Sequence, residues 1–136
     1  MSSLNPVTIT PFCYVLECAP RTDLEQALPA SYCIGSTNNV NMRITQHFNG
    51  SGSKFTRQFH PIRVAELDVT PRMSCQEVLA FENEMTLRYM ERMITEHGSE
   101  AWRCVCGGAW CKLDQEMPAE LRHRLRDSQH ATPRAD

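Results

Sequence analysis

The segment that begins at Ser74 constrains the fold more than any other. Ser74-Cys75-Gln76-Glu77 has the form of a capping box, in which a serine oxygen and a glutamate satisfy two backbone donors at a helix start. Val78, Phe81, Met85, Tyr89 and Met93 follow at three-to-four-residue spacing, so a long amphipathic helix is expected, with Gly98 closing it or the loop just after it. A helix with an apolar stripe needs a second layer to bury it. Two strand-like runs, residues 12–18 and 31–36, supply the start of one as a hairpin with a long connection. That connection, 19–30, carries two prolines around 23–28 and reads as a surface loop with one helical turn at most. Thr37 or Asn38 is placed to cap a helix reaching about Phe48, with Val40, Ile44 and Phe48 on one face and Arg43 and His47 on another. Residues 49–53 read as a flexible turn and 62–69 as a third strand.

The expected fold class is therefore α+β (α/β in the broad sense): a small three-stranded antiparallel sheet flanked by helices, with a C-terminal helical extension. Gly107-Gly108 marks a turn in that extension, and Pro118 opens a short basic helix over 119–126. The division that follows is an N-terminal lead over 1–11, one domain over 12–97, an extension packed on it over 98–127 and a disordered tail over 128–136.

At 136 residues the chain is one domain, and 41% apolar with 22% charged residues is an ordinary globular composition. No apolar run approaches the ~20 residues that span a bilayer, so no membrane association is expected. The first ten residues lack both a basic and an apolar export region. Seven cysteines cannot all pair within one chain, which fits reduced thiols in a cytoplasm rather than a disulfide framework. A net charge of −2 counts against tight, non-specific grip on a polyanion. The charge is unevenly spread, however. From Gln26 to Ala65 there is no Asp or Glu, while Arg43, Lys54, Arg57 and Arg63 fall there with His47 and His60. Twelve of the fourteen cations are arginine, whose planar fork suits bidentate phosphate contact.

Against this frame stands an ordered set of polar residues: Tyr14, then Tyr32-Cys33-Ile34-Gly35-Ser36-Thr37, Arg43, His47 and Glu82. An aromatic hydroxyl, an arginine, a histidine one helical turn beyond it and a helical carboxylate are the parts needed to break a phosphodiester with one metal ion. The order of elements and the run from Tyr32 through Gly35-Ser36-Thr37-Asn38 to Arg43 and His47 resemble the GIY-YIG nuclease family, over roughly residues 12–93. Cys13-Tyr14-Val15-Leu16 stands in place of the first motif, and Gly52 to Arg57 in the family's basic loop. The resemblance implies that Glu82 holds a single Mg²⁺ or Mn²⁺, that Arg43 stabilises charge on the phosphate, and that Tyr14 with His47 activates water. Lys54, Arg57 and Arg63 would then contact backbone phosphates of DNA. With no separate recognition domain, specificity would be low, set by DNA structure, or supplied by a protein partner.

The sequence departs from the family where a second tyrosine should precede Ile34-Gly35, because that residue is Cys33. Tyr32 is next to it, yet neighbouring strand side chains point to opposite faces, so Tyr32 should face away unless a bulge turns it. Three outcomes stay open. Tyr14 and His47 act without a second phenol, Cys33 contributes as a thiolate, or catalysis is lost and the chain binds nucleic acid or a protein as an inactive module. A DNA-degrading toxin is a further form of the active reading. Cys104, Cys106 and Cys111, with His97 or His123, also raise a structural zinc. One residue between paired cysteines instead of the usual two favours buried free thiols around a Gly-Gly turn.

Overall fold

A computed structural model describes residues 12–69 and 74–131, the side chains of 128–131 excepted. The lead expected over residues 1–11 lies outside them. Strands β1 (Phe12–Cys18) and β2 (Ser31–Thr37) pair antiparallel without interruption, from Phe12 opposite Thr37 to Cys18 opposite Ser31. β3 (Pro61–Asp68) pairs with the other side of β1, also antiparallel, with register shifts between Val15 and Leu16 and between Glu17 and Cys18. The 19–30 connection forms no helical turn.

The sheet has four strands, not three. Its order is β3-β1-β2-β4, where β4 (Val105–Gly107) runs parallel to β2. The three-residue strand gives no local pattern; it exists because Val105, Cys106 and Gly107 find Tyr32, Cys33 and Ile34. A crossover made of α3 (Cys75–His97) and the 3₁₀ turn 101–104 carries the chain there, as a parallel return requires.

Alternation along the strands separates two cores. On one face Val15, Tyr32 and Ile34 pack with Met85, Tyr89, Met90 and Met93 of α3, Trp102, and Leu121 of α4 (Ala119–Ala131). Each fully buried aliphatic side chain in this layer contributes ~1.5–3 kcal/mol. On the other face Tyr14, Leu16, Cys18, Cys33 and Cys106 meet Phe55 and Phe59 of α2 (Lys54–Gln58), with Ile44 and Phe48 of α1 (Val40–Phe48) against them. Three layers result, and the polar residues of interest meet on the α1–α2 side.

Several boundaries differ from expectation. Asn39, not Thr37 or Asn38, caps α1: its Oδ1 accepts the Met42 N–H at 3.2 Å, while Thr37 Oγ1 accepts the Asn39 N–H one step earlier. The basic segment at 54–58 is helical, because Ser53 caps it and Phe55 and Phe59, one turn apart, share a buried face. α4 runs to Ala131, past both the 126 expected for it and the start of the tail expected from 128. The serine half of the expected capping box is in place, with Ser74 Oγ accepting the Glu77 N–H at 3.1 Å, and Gly98 ends α3 at φ +113°.

Candidate active site

A cleft of about 430 Å³ opens on the α1–α2 face and is lined by Tyr14, Cys33, Gly35, Ser36, Arg43, His47, Lys54, Glu82 and Gly108. Strand β1 turns Tyr14 into it and α1 brings Arg43 and His47. The Tyr14 hydroxyl donates to His47 Nε2 at 2.9 Å. On the ring's far side Nδ1 lies 2.7 Å from Thr56 Oγ1, and that hydroxyl donates to the Ser53 carbonyl at 3.2 Å. With Thr56 donating to that carbonyl and accepting from His47, the tautomer assigned from this network has Nδ1 protonated and Nε2 accepting from Tyr14.

Both groups resist ionisation. Burial pushes the Tyr14 phenol up to about 12, Cys33 adds to the shift, and the Arg43 guanidinium opposes it. Burial and then Arg43 push His47 down to about 4. His47 is 1% exposed, so this shift bears on stability. The folded pKa lies below the unfolded ~6.5, so the unfolded chain binds the proton first and stability falls as pH drops from about 6.5 to about 4. The loss should reach about 3 kcal/mol, and a series of urea unfolding curves should find it flattened in His47→Gln.

Glycines set the fit around this pair. A Cβ on Gly35 would lie 2.5 Å from the Tyr14 hydroxyl oxygen, and one on Gly52 would lie 2.5 Å from His47 Nδ1. The 49–53 turn is thus packed on the histidine rather than free of it. Gly35→Ala should displace the Tyr14 ring at a cost of ~1–3 kcal/mol, measurable as a lowered urea midpoint.

Glu82 enters from α3. Its Oε1 accepts from Ser36 Oγ at 2.9 Å and its Oε2 from the Gly108 N–H at 3.1 Å. Asn83 and Glu84 are otherwise engaged: Asn83 Oδ1 accepts the Ala109 N–H at 2.9 Å, and Glu84 pairs with Arg88 and Arg124. Cys33 faces the cleft, as strand alternation requires. A hydrogen bond from the Cys106 thiol pulls its pKa down against the effect of burial, with Ser53 and Arg43 assisting. Tyr32 lies on the opposite face, ring to ring with Tyr89 at 5.2 Å, and β2 has no bulge in its pairing with β1.

Among the basic residues, Lys54 lines the cleft and Arg57 is exposed on α2 beside it. Arg63 is not brought there. It pairs with Glu17 at 2.8 Å, its neighbour across β1–β3. Cys104 and Cys106 belong to different cores on opposite faces of the sheet, and among the described residues no three His, Cys, Asp or Glu side chains are gathered to hold a metal. Thr56 was not singled out from sequence, and Ser36 and Gly108 were named only within a motif and a Gly-Gly turn, with no role at this site. Each matters through a partner 9 to 46 positions away, so no local signal marks it.

The model of the GIY-YIG catalytic domain matches residues 11–92. The chain belongs to the GIY-YIG family. That is a family of nucleases, and the matched span holds β1, β2 and β3 of the α+β fold just described, β4 lying beyond it. No curated protein and no solved structure matches the chain. No described helix of this GIY-YIG protein is long and apolar enough to cross a membrane.

Proposed function

We propose that this chain is a divalent-metal-dependent endonuclease that hydrolyses DNA phosphodiester bonds. The observation that carries the reading is the convergence in one cleft of the Tyr14–His47 pair, Arg43, Lys54 and Glu82. Glu82 fits a hard cation: it is a carboxylate on the cleft wall, oriented by two donors, and each oxygen accepts one of these bonds and has a second lone pair to offer. One carboxylate suits Mg²⁺ or Mn²⁺, which retain most of their water and take further oxygens from a phosphate. Bound there, the ion would polarise the scissile phosphate and offset its developing charge.

The chain's own residues do the rest. Arg43 meets the equatorial phosphate oxygens, where negative charge gathers in the transition state. Lys54 and Arg57 hold flanking phosphates and set the register of the strand. Tyr14 takes a proton from the attacking water as its own proton passes to His47 Nε2, so no free phenolate has to form in a site that opposes it. Thr56 keeps the imidazole aimed throughout. A second phenol is not needed for this relay, which is how the chain accommodates Cys33.

The other reading, an inactive module that binds nucleic acid or a protein, draws on Cys33 and on the high pKa of Tyr14. Supercoiled plasmid in Mg²⁺ or Mn²⁺ separates the two. Nicking that EDTA stops is expected from the enzyme; binding without cleavage of plasmid or a panel of branched DNA would leave the module. Supply of specificity by a protein partner belongs to the same proposal.

A further inference from the structure

We infer that Cys33 and Cys106 form a reversible dithiol site, closed to a disulfide across β2 and β4 by peroxide. The parallel register sets Cys33 directly opposite Cys106. Neighbouring strands stand ~4.8 Å apart, within the Cα separation of about 4.4–6.8 Å that a disulfide spans. Paired positions in a sheet share a face, and both sulfurs belong to the same core and line the cleft. Cys106 is also the leading influence that lowers the Cys33 pKa against the effect of burial. Arg43 and Ser53 also favour the charged form of Cys33, which makes it the attacking sulfur.

The other thiols are less suited. Cys13 and Cys104 lie in the opposite core, Cys75 is exposed on α3, and burial pushes the Cys18 thiol up. Cys111 is exposed but lines the same cleft, and is the competitor to exclude.

The chemistry balances. Cys33 thiolate attacks hydrogen peroxide; an S–O bond forms, the O–O bond breaks, and the departing hydroxide takes a proton to become water. The Cys106 sulfur then attacks the sulfenic acid; the S–S bond forms, the S–O bond breaks, and a second water leaves. Two thiols and one peroxide give a disulfide and two waters, and a dithiol reductant restores the start.

Closure has a mechanical effect. Disulfide Cβ atoms sit ~3.8 Å apart, so side chains standing parallel on strands ~4.8 Å apart must lean together by about 1 Å, a pull that is passed to the β4 backbone. β4 leads directly into Gly108, whose N–H holds Glu82. A shift of that size in a catalytic group costs on the order of 100-fold in rate. Only this consequence rests on the nuclease reading.

The test oxidises the full, freshly reduced chain with hydrogen peroxide, alkylates remaining thiols under denaturing conditions, and maps unreduced peptides by mass spectrometry with fragmentation to assign each sulfur. A Cys33–Cys106 link that disappears with dithiothreitol and in Cys106→Ser is expected. Links from either residue to Cys111, both thiols alkylated, or Cys33 recovered only as sulfinic or sulfonic acid would overturn the site. In parallel, plasmid cleavage by the oxidised chain should fall about 100-fold and return on reduction, while peroxide leaves the rate of Cys106→Ser where it was. A linked chain that cleaves at its reduced rate overturns the mechanical effect. If the reduced chain cuts nothing, the nuclease reading has failed, and the peptide map still decides the dithiol.

Discussion

Glu82→Gln should slow Mg²⁺-dependent plasmid nicking by on the order of 10³–10⁴-fold, while the chain stays folded and continues to bind DNA. A cation at a phosphoryl oxygen supplies several kcal/mol of transition-state stabilisation, and each ~1.4 kcal/mol is tenfold in rate. Glutamine keeps the shape of the side chain but offers one oxygen to two donors, Ser36 Oγ and the Gly108 N–H. Both contacts survive when its oxygen accepts from the Gly108 N–H and its amide donates to Ser36 Oγ, because a hydroxyl also accepts, so folding stability should change little. Single-turnover cleavage across a Mg²⁺ titration, with binding to the same DNA in Ca²⁺, reads both quantities. Parental rates in this variant would remove Glu82 from the metal role, since no other carboxylate lines the cleft among the described residues.

Tyr14→Phe is the second large effect. The ring space against Gly35 is preserved, yet the oxygen that the proposed relay requires is gone, and ~10²–10⁴-fold should be lost from the chemical step. His47 Nε2 also loses its donor in a buried setting, which should cost ~1–3 kcal/mol in urea unfolding. A relay predicts that His47→Gln loses rate by a comparable factor and that the double variant falls little below either single one, because the pair acts as a unit. Additive losses would instead assign the two residues separate tasks.

The two effects rest on parts of the site that differed in how openly the sequence carried them. Tyr14, Arg43 and Glu82 were legible because their elements have strong local periods: strand alternation for β1, a capped helix for α1, a long apolar stripe for α3. The same alternation assigned Tyr32 to the far face and Cys33 to the near one. The neutrality of His47 was not legible, for it depends on Thr56 and on burial beneath the 49–53 turn. α2 had a signal, a Ser53 cap with Phe55 and Phe59 one turn apart, that the flanking Gly-Ser run masked. β4 had none. Three residues whose partners lie 106 − 33 = 73 positions away are specified by tertiary pairing alone.

That late, distant pairing governs the order in which the molecule can become competent during its own synthesis. Before residue 105 leaves the ribosome, β2 is an open strand edge and the Glu82 carboxylate has only Ser36 to orient it. Closing a loop of this length is slow relative to forming the hairpin and helices that precede it. The nascent chain thus carries its phenol, arginine and carboxylate well before they share a finished cleft, and the cleft is completed only with the last strand of the sheet.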